Sequence, residues 1–316
     1  MLLMIEALLL LSAAVGQDHR TADYEGQIIP LDMAENSVDD LYVGCKKTMT
    51  CLVETELLQN ELNISPGFRE AWEEAEKNHE PPADNLKEKN SFAIYVYTNV
   101  NNQIYRYFNN AVRSDKQKYK DRTYTWYSLQ FLLTEAIQIL KESQNGCKLT
   151  YRGTKLEFDK NVLNKQVRFG QFASSSLDRT EAVEFGTKSC FEIRTCEGAD
   201  VAKYSKFPQE KEVLIPPYEK FKVTAVKTVR DDKNLWCDTV FVLKSTGVTS
   251  DLNCALLNSP AESITKRSRF RMYQFGRRFG RKPFTLHSRY RGHSFSSLQG
   301  IDEDPVTLAL HLCSSV

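Results

Sequence analysis

The sequence is poor in the residues and motifs that most catalytic designs depend on. It has no GxSxG elbow, no GxGxxG after a strand, no Walker loop and no HExxH pair. Their absence argues against serine-hydrolase, dinucleotide-fold, P-loop and zincin chemistry. Histidine is scarce: three of the five fall in the last 30 residues, leaving little for imidazole acid–base work. The cysteines form no CxxC pairs and have no spaced histidines beside them, so no metal site is implied. Beyond the N-terminus, no apolar run reaches the roughly 20 residues of a membrane-spanning helix. With 42 basic and 41 acidic residues, net charge names no partner. An enzyme with this composition must work with carboxylates, arginines, hydroxyls and backbone groups.

What is present suggests a secreted chain. "MLLMIEALLLLSAAVGQ" joins an apolar run to small residues, the pattern of a cleaved signal peptide over 1–16, although Glu6 interrupts it. Eight cysteines follow, and a secretory route makes disulfides their natural state, which disfavours a cysteine nucleophile. The sequence leaves their pairing open. Asn63-Ile64-Ser65 is a glycosylation sequon, weakened by the Pro66 that follows.

The 316 residues allow a substantial core. The region 39–145 reads as helical: "CLVETELLQNEL" and "FREAWEEAEKNH" space apolar residues at the helical period. "TYTWYSLQFLLTEAIQILKES" is the clearest helix, ending before Asn145-Gly146, while "SFAIYVYTN" fits helix or strand. Over 147–258 the pattern changes to six strand-like runs with polar turns. One short helix, "DRTEAVEFG", interrupts them. Helices followed by a block of strands predict an α+β fold with mostly antiparallel pairing. One domain is therefore expected over 17–260, followed by a basic tail over 261–316.

Between Lys266 and Arg291 the tail holds ten Lys or Arg and no acid. Such a block reads as a solvated, flexible extension, or as an anchor for anionic glycans or a membrane surface; a secretory route argues against nucleic acid. The apolar end "PVTLALHLCSSV" makes a GPI anchor an alternative to free secretion, but it is short and contains His311.

Three elements of the strand block can carry chemistry. In "TYRG", Arg152 ends a strand, and its planar fork suits a phosphate or pyrophosphate; an ordinary surface ion pair is the plainer reading. Gly153 allows close approach of a ligand. "FASSS" places Ser174, Ser175 and Ser176 before a short helix, a context that helix capping alone would explain. "QEKEVLIPP" holds Glu210 and Glu212, which project to one face if the segment is extended. Two such carboxylates can stabilise an oxocarbenium-like centre and orient a nucleophile, whereas a charged strand entry needs no function.

Arg, Ser and Glu-x-Glu in this order resemble the arginine-specific mono-ADP-ribosyltransferases of the vertebrate cell surface and secretory pathway. The likeness extends from about Ile29 to Leu257. It includes "IPLDMAENSVDDLYVGC", "VYTN", "YRGT", "VRFGQFASSSL", "CFEIRTC", "KEVLIPPYEKFKV" and "STGVTSDLNC" in family order. The resemblance implies a helical region packed on a β-sandwich-like, disulfide-stapled, NAD-binding core. NAD would be the substrate, with NADP an alternative, and the acceptors would be proteins with exposed arginines. Arg152 would hold the NAD phosphates, Ser174 would orient the catalytic acid and the ribose, and Glu212 would be that acid. Glu210 would position the acceptor guanidinium, with Lys211 a spacer pointing away. Gly153 would meet the nicotinamide amide, and Tyr97, Gln171 and Ser205 would line the NAD site. The resemblance implies the disulfides Cys45–Cys254 and Cys147–Cys196. Cys190 and Cys237 suit neighbouring strands, while Cys51 and Cys313 have no assigned counterpart. NAD hydrolysis, or a silent binding protein of the same fold, are the alternative activities.

Overall fold

The computed structural model describes residues 27–258 together with Cys313. The signal peptide expected at 1–16 and most of the basic tail expected at 261–316 lie outside those residues.

The chain first builds a helical layer. Lys46–Leu52 (α1) runs through a π-helical turn, Val53–Leu57, into Leu58–Ile64 (α2). Pro66–Asn78 (α3) starts where Ser65 accepts from the Phe68 N–H at 3.4 Å, with Pro66 in the first turn. "SFAIYVYTN" falls in a helix, Glu88–Thr98 (α4), with nine of its eleven residues buried. Ile104–Ser114 (α5) and the short Lys116–Lys120 (α6) follow. Tyr127–Ser143 (α7) is the central helix, buried on nearly all sides over its first three turns. No side chain of its own caps it. The Glu61 carboxylate from α2 accepts instead from the Ser128 N–H, at 3.1 and 3.2 Å. Among the described residues no helix is long and apolar enough to cross a membrane.

The strands follow. Ile28–Ile29 (β1) pairs in parallel with Glu157–Phe158 (β3). The main sheet comprises Lys148–Thr154 (β2), Gln166–Val167 (β4), Ala173–Ser176 (β5), Ser189–Thr195 (β6), Ala199–Asp200 (β7), Glu212–Ile215 (β8), Glu219–Thr228 (β9) and Thr239–Val248 (β10). Its order is β4-β9-β10-β6-β2-β5-β8-β7, antiparallel throughout except for the β10–β6 pair. The expected α+β class and mostly antiparallel pairing hold. The run "VRFGQFASSS" divides into β4 and β5, separated by Gly170 at φ +67. A short helix, Arg179–Glu184 (α8), separates β5 from β6.

Two cores result. Val167 of β4 and Ile215 of β8, near opposite ends of the strand order, share one apolar cluster with Phe191, Phe221 and Phe241. That sharing gives the strand layer its sandwich-like core. The neighbouring Leu214 joins the helical core with Phe172, Val201 and Tyr204. The alternation of Leu214 and Ile215 along β8 follows the two-residue period of a strand, and it sets the helices against the β5–β8–β7 end.

The N-terminal signature is structural. Arg168 donates to Met33 O at 2.7 Å, Ala34 O at 3.1 Å and the buried Asp39 carboxylate at 2.7 Å. Asp39 also accepts from the N–H groups of Asp251 and Leu252, so one ion pair ties both ends of the domain to the residue that follows β4. Disulfides Cys45–Cys254 and Cys147–Cys196 are present as expected, and so is Cys190–Cys237. Cys51 pairs with Cys313, the two cysteines for which the sequence offered no partner.

Candidate active site

The site forms where the helical layer meets the β2–β5–β8 strands. Register aligns Tyr151 of β2 with Ser176 of β5, and Ser176 with Glu212 of β8, in one row across the sheet. Above this row lies an open cleft with about 610 Å³ of empty space, lined by Arg152, Ser174, Glu210 and Glu212 from the strand layer. Tyr97, Thr98, Val100 and Tyr105 form the helical side of the wall.

Arg152 donates from Nη1 to the Ser174 carbonyl at 2.6 Å, which locks the guanidinium to the neighbouring strand. The Ser174 hydroxyl hydrogen-bonds the Glu212 carboxyl group. Burial lifts Glu212 from an ordinary 4.5 to about 7, against the opposing pull of the Ser174 hydrogen bond and the Arg152 charge. Burial, then the charges of Glu212 and Glu181, lift Glu210 to about 8. Tyr97 is fixed at both ends of its hydroxyl: it donates to Phe172 O at 3.0 Å and accepts from the Asn109 amide at 3.0 Å.

The two glutamates converge by a route different from the expected one. They do not lie on one extended strand. Glu210 closes a 3-10 turn, Pro208–Glu210, and Glu212 is the first residue of β8. Lys211 between them adopts the left-handed conformation at φ 50, which turns the chain so that both acids face the cleft. Lys211 points away, as expected, but its ammonium is bound to Asp178 at 2.9 Å. The serine run is likewise not a helix cap. It forms β5, and Asp178 caps α8 by accepting from the Thr180 N–H at 3.0 Å.

Gly153 has a packing reason for being glycine. A Cβ there would stand 2.2 Å from the Ala182 carbonyl oxygen and 2.3 Å from that of Gly186, so the approach of α8 to β2 excludes any side chain. Gly153 does not line the cleft, nor do Gln171 and Ser205. Gln171 accepts from Arg113, and the Ser205 hydroxyl accepts from the Phe207 N–H at 3.1 Å. Ser175 and Ser176 of the serine run line it as well, and so do Tyr105, Tyr151 and Phe185, which were not singled out from the sequence. Tyr151 adjoins a recognised motif residue, so strand register was the signal available. Tyr105 carried none.

Comparison with known proteins agrees with this architecture. Residues 31–240 match the family model for NAD:arginine ADP-ribosyltransferases. The chain is 40% identical to human ecto-ADP-ribosyltransferase 5 over 214 residues, covering 62% of this chain and 72% of the relative. It is 35% identical to chicken NAD(P)(+)--arginine ADP-ribosyltransferase 2 over 257 residues, covering 79% and 80%. The crystal structure of the eukaryotic mono-ADP-ribosyltransferase ART2.2 superposes with a TM-score of 0.60 at 32% identity, covering 72% of this chain and 98% of that one. A mutant of ART2.2 in complex with NAD gives a TM-score of 0.58 at 30% identity, with the same coverage. This chain belongs to the NAD:arginine ADP-ribosyltransferase family and is an enzyme that transfers a single ADP-ribosyl group from NAD.

Proposed function

We propose that the protein transfers ADP-ribose from NAD to arginine side chains of extracellular or luminal proteins, acting in secreted or cell-surface form. The observation that carries this reading is the grouping of Arg152, Ser174, Glu212 and Glu210 on one cleft, with Glu212 buried and hydrogen-bonded to Ser174. NAD is the donor, with NADP an alternative. The relatives' names include GPI-linked enzymes, which supports a cell-surface or extracellular setting.

In this reading Arg152 holds the donor phosphates, and Tyr97 closes the helical side of the cleft. The C–N bond between ribose and nicotinamide breaks, and its electron pair leaves with nicotinamide, whose ring loses its positive charge. No general acid is needed, so the scarcity of histidine is no obstacle. Glu212 orients the ribose 2′-hydroxyl and stabilises the cationic ribosyl carbon that develops. Its negative charge acts at short range inside the wall of a cleft rather than in bulk water. A guanidino nitrogen of the acceptor then bonds to the same carbon and releases one proton. Burial and the neighbouring acids favour the neutral form of Glu210, raising its pKa to about 8; an arriving guanidinium favours the carboxylate, which then holds the acceptor and accepts that proton. Holding donor and acceptor together lowers the entropy cost of the bimolecular step.

The test uses labelled NAD with a poly-arginine acceptor. Glu212→Ala is expected to abolish transfer and NAD hydrolysis alike. Glu210→Gln is expected to lose transfer and keep hydrolysis. Full arginine transfer by Glu212→Ala would overturn the assignment, and retained transfer by Glu210→Gln would remove that residue from acceptor binding.

A further inference from the structure

Glu210 presents a mechanical problem. Its carboxylate is half-buried in the cleft, and among the described residues it has no hydrogen-bond partner to hold it. An unpartnered side chain is positioned only as well as its backbone, and this backbone sits in a tight turn beside a left-handed lysine. A lysine stays in that conformation only when its surroundings hold it there.

The restraints converge on the three residues after β5 begins to leave the sheet. Ser176 donates from its hydroxyl to the Glu210 carbonyl at 2.7 Å and accepts from the Asp178 N–H at 2.9 Å. Lys211 places its ammonium 2.9 Å from the Asp178 carboxylate, and its carbonyl accepts from the Leu177 N–H at 3.1 Å. Burial opposes the charge on Glu210, whereas Asp178 is held ionised by its hydrogen bonds from Thr180 and then by Lys211, and it in turn favours the charged form of Lys211. Upstream, the loop is tied to the helices. Tyr204 donates to Asp84 at 2.8 Å, and Lys206 donates through its backbone to Thr98 at 2.9 Å and through its ammonium to Tyr95 at 2.6 Å. Glu210 therefore lies on a short span fixed at both ends, and Asp178–Lys211 is its downstream fastening.

We propose that Asp178 and Lys211, acting with Ser176, form a clamp that positions the Glu210 carboxylate for the acceptor, so that Lys211 is a positioning residue for transfer rather than a spacer. This rests on the arginine-transfer reading given above. The Asp178–Lys211 pair acts on acceptor use and not on donor cleavage, because neither residue lines the cleft, as Ser176 does, and Glu212 is held separately through Ser174.

The experiment uses the full-length secreted protein with NAD and free arginine as the acceptor probe. An exposed ion pair is worth no more than about fivefold in an equilibrium. Lys211→Gln and Asp178→Asn, the latter keeping a good N-cap, are each expected to raise the acceptor KM about two- to fivefold. NAD hydrolysis without acceptor should stay within about twofold of wild type, since it does not use the clamp. The double variant should be no worse than either single one, and Lys211→Arg should behave as wild type. Parallel loss of transfer and hydrolysis, or an unchanged acceptor KM in both single variants, overturns the clamp. If the wild type does not modify arginine at all, the proposed function fails, and the clamp is judged by hydrogen exchange. The Glu210 and Lys211 amides, bonded to Phe207 O and Pro208 O, should exchange several-fold faster in Lys211→Gln; unchanged exchange overturns it.

Discussion

Replacing Glu212 by glutamine is expected to make the folded protein more stable at alkaline pH while removing its activity. Glu212 is 5% exposed, and burial holds its pKa at about 7 against an ordinary 4.5. The folded chain therefore keeps this proton over a range where the unfolded chain has lost it. Below about 4.5 both states are protonated and the carboxyl costs nothing; stability then falls as pH rises toward 7 and levels off above it. A tenfold difference in proton affinity is about 1.4 kcal/mol, so the full effect is about 3 kcal/mol. The assay is urea unfolding of wild type and Glu212→Gln at pH 4.5 and pH 8.5, with the disulfides intact. The stability difference between the two proteins should shift in favour of the variant by about 3 kcal/mol from the lower to the higher pH. For a domain of this size that is roughly 6–12 °C in Tm. A difference that is the same at both pH values would refute the reasoning, because the folded carboxylate would then be as well solvated as the unfolded one. Glu61 supplies a control outside the cleft. Burial raises it to about 8, so Glu61→Gln should give a similar gain at high pH, up to about 5 kcal/mol, and leave NAD turnover unchanged.

Other consequences concern chemistry and folding. The kcat/KM for NAD should rise with pH through about 7 as Glu212 ionises, and Ser174→Ala should move that limb to higher pH, because the lost hydrogen bond favours the carboxylate; an unmoved limb would detach Ser174 from Glu212. Arg168→Met leaves the Asp39 charge buried and should cost about 3–5 kcal/mol in urea unfolding, part of which Asp39→Asn in the same chain should restore. Cys51–Cys313 closes, beyond Cys45–Cys254, a loop of 59 residues at one end and 6 at the other, so removing it should cost up to about 4 kcal/mol. Intact mass before and after thiol labelling of native protein should find no free cysteine.

The fold was legible where packing left a face exposed or a strand bounded by turns. α3 alternates buried Phe68, Ala71, Trp72 and Ala75 with charged residues at helical spacing. The strands β2, β6, β9 and β10 coincide with apolar runs. α4 was ambiguous for a physical reason: burial on almost every side removes the periodicity that distinguishes a helix from a strand. α5 buries Ile104, Phe108 and Val112 at four-residue spacing, but Tyr105, Tyr107 and the asparagines dilute that signal. The cap of α7 could not be read locally, since Glu61 lies 67 residues before Ser128.

For the site, residue types and their order were more legible than geometry. Arg152, Ser174, Glu210 and Glu212 do face one cleft. The two glutamates nonetheless do not meet there as neighbours on one face of an extended strand. In an unbroken strand, both would share the hydrogen-bonding constraints and burial of β8. A left-handed Lys211 separates them instead: Glu212 inherits the strand's rigidity and a hydroxyl partner, while Glu210 sits on a turn with its carboxylate unpaired among the described residues. That difference suits the two tasks proposed for them. In that proposal the acid beside the ribose is fixed before the donor arrives, whereas the acid for the acceptor keeps its hydrogen-bonding capacity for an incoming guanidinium. Spacing in the sequence could suggest the pair. Only the turn between them accounts for one being satisfied within the protein and the other left for a substrate.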